Sequence, residues 1–457
     1  MISMTDGAEA LVLSFLIPVL QTEWNLTDTQ QSVLGSSTFV GFFIGCLLSG
    51  QVADRVGRRK PLLYGVFFNF FFGLISGFAQ NFQSLAILRL LFGISVGIIS
   101  PLSATYISEV TPMKIRGRVL VFTGAFFTIG EMITCLIAVI FLDTFSSGNW
   151  RALVMWSALP GIFTFLLVYF FLEESPRYLL VFQKYDEAFR HINNIIKRNN
   201  KSNCQALSQE EKDDLRRWAD NQARFQHNKT SANPKELFRK GRNKITPFLW
   251  VMWYVLSCVY YGNIFILPTI LRDMNLDNKA ASSTEFLDVF FSVLSELPSS
   301  FISYYIIEVH FLGRKNSLII TFAFTSIACF IAFGSIGSSF LVFATLARFF
   351  LNMAFSIIYP FTTEIYPTTI RATGLGIASS FSRIGGMTMP WISIASLKIG
   401  ITGPFLIYGL LAATATICSI LLPFDTTGIE LDKHHEEDEC SDPVEEKEGI
   451  WSEKTFN

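Results

Sequence analysis

Charged residues are scarce in this chain. Asp, Glu, Lys and Arg make up 16% of its 457 residues, where a soluble domain carries about 25%. A water-soluble globule of this size is thereby excluded. The net charge is −1, and the basic residues fall in short loops, so no nucleic-acid partner is implied. The phosphate-cradling pattern G-x-x-x-x-G-K-[ST] is missing, which excludes ATP as the energy source through such a loop. No nucleophile–base arrangement and no metal-ligand spacing is found, so neither an enzyme nor a cofactor nor a metal is expected. The seven cysteines are Cys46, Cys135, Cys204, Cys258, Cys329, Cys418 and Cys440. None sits in an expected outer loop, so no disulfide framework is implied and packing is their expected role.

What the chain has in abundance is apolar length. Hydrophobic residues reach 51%, and Phe alone contributes 46. They fall in blocks of about 20, the length that crosses a ~30 Å hydrocarbon core as a helix. Twelve such segments are expected, at about 1–20, 31–53, 61–80, 84–108, 118–142, 150–172, 246–271, 286–307, 316–336, 340–362, 373–397 and 402–422. The reading is an all-α, multi-pass membrane protein embedded in a lipid bilayer. Four parts follow: a six-helix half over 1–172, a central polar loop over 173–244, a second six-helix half over 245–423, and an acidic tail over 424–457. The loop holds two expected surface helices, Lys184 to Asn200 with Ala188, Ile192, Ile195 and Ile196 on one face, and Gln209 to Gln226. The tail, with Glu436-Glu437-Asp438-Glu439, has the composition of a solvated, disordered segment.

Lys and Arg set the orientation. Arg55, Arg58, Arg59, Lys60, Lys114, Arg116, Arg118, the central loop, Arg314, Lys315 and Arg371 lie on one side. That side is expected to be the cytosol, with both termini there. The first span meets its polar residues early, because Asp6 is five residues from Met1. Either the bilayer thins there or about ten residues of a span of ~20 are missing. A truncated first helix is the expectation.

One stretch organises the rest: Gly50-Gln51-Val52-Ala53-Asp54-Arg55-Val56-Gly57-Arg58-Arg59-Lys60. Gly50 removes a side chain where a helix end must pass close to a neighbour. Asp54 can accept backbone N–H groups or pair with an Arg. Gly57 permits the turn, and Arg58, Arg59 and Lys60 hold the loop on one side. The same landmarks return: Gly57-Arg58 recurs 256 residues later as Gly313-Arg314. Glu109 with Arg116 recurs 255 residues later as Glu364 with Arg371, each pair seven residues apart. Two related halves follow, with a substrate site between them near the midplane. In the second copy His310 stands where Asp54 stands, and Ile306 where Gly50 stands, so its charge lock should be weaker. This loop pattern resembles that between the second and third helices of the major facilitator superfamily, whose members are secondary transporters. The resemblance implies twelve helices in two pseudo-symmetric six-helix halves.

Charges inside membrane spans cost several kcal/mol and face the bundle interior or water. Asp6 and Glu9 are three apart on one helix face. They read either as residues hanging in the interface or as a proton-binding pair, with Arg89 of the fourth span as counter-charge. Glu131 and Glu296 are two further intramembrane acids, the second before a kink at Pro298. They are either satisfied by Tyr and Ser or available to a ligand. Tyr260, Tyr261, Asn352, Tyr359 and Trp391 offer polar and aromatic groups. Arg383 carries the most weight. A buried guanidinium never deprotonates, so it requires an anion, which is Glu296, another acid, or the substrate. At the inner helix ends Gly50, Asp54, Gly57, Arg58, Arg59, Glu109, Arg116, Glu174, Arg177, Gly313, Arg314, Glu364 and Arg371 form a candidate cytosolic gate, or simple helix-end anchors.

Gly130-Glu131, Asn149-Trp150-Arg151, Glu173-Glu174-Ser175-Pro176-Arg177, Tyr260-Tyr261-Gly262, Glu296-Leu297-Pro298 and Thr363 to Thr368 with Arg371 resemble the organic-ion transporters. They are most similar to the synaptic-vesicle-protein-related branch. Asp6-Gly7-Ala8-Glu9 is also similar to the first helix of aromatic-acid/proton symporters. In the proton-coupled sugar branch, the position that Arg89 matches pairs with a first-helix Asp to couple protons. In organic-ion carriers the position that Arg383 matches is Arg where the cargo is an anion. The resemblance thus implies a monomeric secondary transporter moving a small organic anion with protons by alternating access, in the plasma membrane or a vesicle membrane. An organic-cation or sugar uniporter, and a non-transporting receptor or scaffold, are the alternatives.

Overall fold

The computed structural model describes residues 1–111, 113–198, 207–228, 237–238, 243–275, 282–306, 313–366, 371–423 and 425. The first half holds α1 (Ile2–Glu23), α2 (Asp28–Val56), α3 (Arg59–Ser76), α4 (Phe82–Val110), α5 (Met113–Phe141) and α6 (Trp150–Phe171). A short hairpin, β1 (Leu142–Thr144) with β2 (Ser147–Gly148), caps the end of α5. Then come α7 (Pro176–Val181), α8 (Tyr185–Arg198) and α9 (Gln209–Asn228). The second half holds α10 (Ile245–Asn275), α11 (Ser282–Leu294), α12 (Glu296–Ile306), α13 (Gly313–Phe333), α14 (Ser338–Ile365), α15 (Arg371–Ser396) and α16 (Gly403–Leu421). Counting α11 and α12 as one broken span, twelve spans result, as the hydropathy pattern requires.

Ten spans are long and apolar enough to cross a membrane by length and composition alone. The other two are α3 and α15. The first has 18 residues and opens on Arg59-Lys60, which still gives roughly 27 Å of helix. The second carries Arg371, Arg383 and many small residues, and it is sheltered between α10 and α2.

The two halves repeat one packing scheme. In the first, α1 packs on α5 and α6, α3 on α4 and α6, and α2 on α4. In the second, α10 packs on α15 and α16, α13 on α14 and α16, and α12 on α14. Hydrophobicity cannot drive these contacts in lipid, so close backbone approach and interhelical hydrogen bonds must. The α2–α4 crossing is the clearest case. A Cβ at Gly41 would strike the Leu90 carbonyl, at Gly45 that of Ile94, at Gly93 that of Thr38, and at Gly97 that of Phe42. Each helix thus presents a G-x-x-x-G pair to the other.

The hydrophilic ends are built by capping. Thr27 and Asn81 form capping boxes at the starts of α2 and α4. Asn149-Trp150-Arg151 works as a unit. Asn149 caps α6, Trp150 Nε1 donates to Glu23 at 2.7 Å, and Arg151 donates to the Gly77 and Ala79 carbonyls. On the other side α7, α8 and α9 fold together around Tyr178, Leu179, Leu180, Ala188, Phe189 and Ala219. The apolar stripe expected on α8 is only partly used, since Ile195 is exposed while Ala188 and Phe189 are buried. Tyr185 donates to Asp220 at 2.7 Å, and this bond pushes its phenol above the ordinary range.

The halves meet on the face away from the basic loops. There Phe286 packs on Phe15 and Phe145, with ring centroids 5.9 and 4.7 Å apart. Arg272 donates to Gln21 at 3.1 Å, Ser36 to the Met387 carbonyl at 2.7 Å, and Lys398 lies 3.9 Å from Asp28.

Candidate functional site

Arg383 sits where α15 is pinned between α10 and α2. A Cβ at Gly385 would strike the Tyr254 carbonyl of α10, and one at Gly386 would strike the Phe39 ring of α2. These two glycines bring the helix close and aim Arg383 between the halves. Its guanidinium lies 3.7 Å from the centre of the Phe42 ring. Asp6, Cys46, Tyr261 and Tyr359 all lie within electrostatic reach of it. Tyr261 stacks edge-on against Phe39, and Tyr359 against Trp253. The Nε of Arg383 and Oδ1 of Asp6 have no hydrogen-bond partner among the described residues.

Asp6 and Glu9 part company. Glu9 takes Arg89, with 2.7 Å between Oε2 and Nη1, and both are buried. Asp6, nearly a turn away, belongs to the Arg383 site. The pair expected on one helix face therefore serves two different guanidinium groups.

A third cluster holds the residue that the sequence reading missed. Arg348 of α14 donates through Nε to Glu296 and through Nη2 to Glu131, each at 2.5 Å. All three side chains are 0% exposed. Tyr260 donates to both oxygens of Glu296, at 3.0 and 3.1 Å, and Thr128 donates to Oε2 at 3.0 Å. Asn352 ties the break between α11 and α12, donating to the Glu296 carbonyl, Ser299 and Ser300. Glu296 was one expected partner of Arg383; it is engaged by Arg348 instead. The signal was present, because Arg348 is a lone charge in an apolar run just as Arg89 is.

At the basic face, Arg58 lies 3.2 Å from Asp54 and 3.3 Å from Glu109. The backbone N–H groups of Arg58 and Arg59 are taken by Glu174, not Asp54. Gly57 ends α2 at φ +100, and a Cβ there would strike Glu174. Arg177 lies over the Trp218 ring of α9 at 5.7 Å, not over a facing span. In the second half, past Gly313 at φ +65, Arg314 pairs with Glu364. Each of these ion pairs stays inside one half. Gly50 departs from expectation, for a Cβ there would meet nothing within 4 Å. That position on α2 faces none of the described residues closely, although Ala53 and Gly57 further along the helix are packed. His310 lies outside the described residues, as do the side chains of Arg116 and Arg371. A cavity of about 330 Å³, lined by Ile2, Leu62, Ser103, Tyr106 and Phe171, lies within the first half and away from Arg383.

Comparison with known proteins gives one answer. Residues 5–437 match the family model "Sugar (and other) transporter". The chain is 29% identical to the synaptic vesicle 2-related protein of Xenopus laevis over 93% of this chain and 77% of that one. It is 29% identical to organic cation/carnitine transporter 7 of Arabidopsis thaliana, covering 93% and 90%. It is 27% identical to the putative niacin/nicotinamide transporter NiaP of Bacillus subtilis, covering 93% and 94%. In fold it matches the inward-open xylose transporter XylE of E. coli with a TM-score of 0.76 at 19% identity, over 95% and 97% of the two chains. The family and fold are those of transporters, not enzymes. This chain, a multi-pass integral membrane protein, belongs to the sugar (and other) transporter family of the major facilitator superfamily.

Proposed function

We propose that this protein moves a small organic anion together with protons by alternating access, and that the anion binds Arg383. The observation that carries the reading is the Arg383 site itself. A permanent cation whose Nε has no partner among the described residues lies between the halves, with Phe42, Tyr261 and Tyr359 around it and Asp6 as its resident acid. An aromatic or pyridine carboxylate fits such a site, with its charge on the guanidinium and its ring on the aromatic walls. The NiaP relative is named for a pyridine carboxylate and its amide, which supports this cargo class.

Coupling follows from charge. When the carboxylate reaches Arg383, two anions face one cation in a desolvated space. Asp6 then takes a proton, because an uncompensated buried charge costs several kcal/mol. Substrate and proton therefore bind together. Glu9 and Arg89 are already paired, so they hold α1 against α4 while Asp6 titrates.

The basic face is the cytosolic one, and both termini belong to it. Among the described residues, the cross-half contacts lie on the opposite face, and the ion pairs at the basic face stay within each half. This arrangement supports a cavity that opens to the cytosol. The organic-cation reading needs Glu131 and Glu296 free to attract a ligand, whereas both are engaged by Arg348.

Thermal stabilisation of the purified protein tests the assignment, with benzoate, nicotinate and small quaternary amines as ligands. Carboxylates are expected to raise the melting temperature by mass action, and Arg383→Asp to abolish the effect. Carboxylate binding should tighten as pH falls above the ligand's own acid range, and Asp6→Asn should make it flat with pH. Stabilisation by amines that survives Arg383→Asp would sink the anion reading. No shift with any ligand, with no uptake into vesicles, would leave a receptor.

A further inference from the structure

We infer that Glu131 carries a proton in this structure, and that the Glu131–Arg348–Glu296 cluster is a proton-dependent latch between the two halves. The inference rests on the alternating-access reading but uses a different set of residues from the Arg383 site.

Charge counting comes first. Two carboxylates share one guanidinium, and all three are wholly buried. The charges that act on Glu131 are those of Arg348 and Glu296. Around them α10 contributes Tyr260, and α5 itself contributes Thr128 and Cys135. α11, also packed on α5, carries one acid, Asp288, which is part-exposed and not among the charges acting on Glu131. From α1, Glu9 is spent on Arg89, and Asp6 faces Arg383. With both carboxylates ionised the cluster would hold one uncompensated negative charge out of contact with water. One proton removes it.

Hydrogen bonding says which carboxylate holds that proton. Glu296 accepts from three donors: Arg348, the single Tyr260 O–H within reach of both its oxygens, and Thr128. An ionised carboxylate is acceptor-only and needs such donors. Glu131 receives one bond, from Nη2 of Arg348, and its Oε1 has no partner among the described residues. Glu296 is the anion and Glu131 the acid.

Position gives the proton a consequence. Glu131 and Thr128 belong to the first half; Tyr260, Glu296 and Arg348 belong to the second. The cluster lies in the same cross-half seam as Phe15–Phe286 and Asp28–Lys398. Parting the halves on that face exposes Glu131 to water, where it ionises. Closing them requires it to regain the proton. The closed arrangement thus binds one proton more than the open one, so acid favours closure and alkali favours opening. The ratio of the two changes by about tenfold per pH unit across the transition.

The test uses the full-length protein in nanodiscs, with nitroxides on non-canonical side chains at positions 28 and 398, and dipolar distances recorded from acid to alkaline pH. A short distance should dominate in acid, and a longer one should grow by about tenfold per pH unit. Glu131→Gln should stay short at every pH, Glu131→Asp should keep the transition, and so should Asp6→Asn. Infrared difference spectra give a second readout: the carbonyl stretch of a buried protonated carboxyl is lost in Glu131→Gln. A wild-type distance that ignores pH overturns the latch. So does a Glu131→Gln variant that moves like wild type, or loss of the transition in Asp6→Asn. These readings need no substrate. A surviving transition without uptake of any carboxylate would therefore sink the transport reading and leave the latch standing, whereas uptake without the transition would do the reverse.

Discussion

A buried guanidinium cannot shed its proton, so Arg89, Arg348 and Arg383 each oblige the fold to supply an anion. Glu9 supplies one for Arg89 at 2.7 Å. Glu9→Gln should leave Arg89 buried and unpaired, and lower stability by about 3–5 kcal/mol, read as a drop in thermal unfolding temperature in detergent. Replacing both residues, Glu9→Met with Arg89→Met, should recover most of that loss. Arg89 was legible because an intramembrane charge stands out in an apolar run, and a first-span acid was the natural partner. Arg348 stands out equally, yet its partners come from spans 217 and 52 residues away. Periodicity reports which face of a helix a charge occupies, but not which helix lies opposite. That is why Glu296 stood among the three candidate partners of Arg383 and no sequence argument tied it to Arg348. Glu174 teaches the same lesson at the loop: Asp54 is the local candidate for the turn's N–H groups, but a residue more than a hundred positions on reaches them first.

At the scale of elements, the glycines at the α2–α4 crossing matter more than the phenylalanines around them. A side chain at Gly93 meets backbone, which cannot rotate away. Gly93→Val should therefore cost about 1–3 kcal/mol through overpacking. Gly124→Val, where a Cβ meets nothing within 4 Å, should leave the unfolding temperature unchanged. Span existence was readable from hydropathy, since apolar blocks of membrane length admit few other structures. The hairpin after α5 was not, because three- and two-residue strands leave no alternation to detect. Nor was the break between α11 and α12 as a hydrogen-bonded joint. Pro298 marks a kink, but Asn352, which donates to the Glu296 carbonyl beside the break, lies on another span.

For the whole molecule, the sequence repeat became a repeat of packing, helix pair for helix pair. What no repeat offset can reveal is which of its conformations the molecule occupies. Gly50 shows why. Its small size looks like a demand for close approach, yet here a Cβ at this position meets none of the described residues within 4 Å. In the alternating-access reading, the demand belongs to the conformation that closes the basic face. Gly50→Leu should accordingly leave unfolding temperature and ligand-induced stabilisation nearly as in wild type, while uptake into vesicles falls steeply. A matching loss of stability would instead mean that the glycine is needed in the conformation described.

The glycine seam has a mechanical consequence. α2 runs from Asp28 to Val56 without a proline, and its contact with α4 at Gly41 and Gly45 is backbone on backbone, so α2 acts as a stiff beam held at that crossing. Near one end the beam rests on α15, where Gly35 abuts Pro390. From that fulcrum to Phe42, the residue under Arg383, is seven residues, or roughly 10 Å. The distance to Val56 is 21 residues, or roughly 32 Å. A tilt that shifts Phe42 by about 1 Å would then swing the far end by about 3 Å, a threefold leverage set by helix rise alone. A 1 Å displacement of the ring under Arg383 would thus move the mouth of the protein by about half the radius of a helix with its side chains.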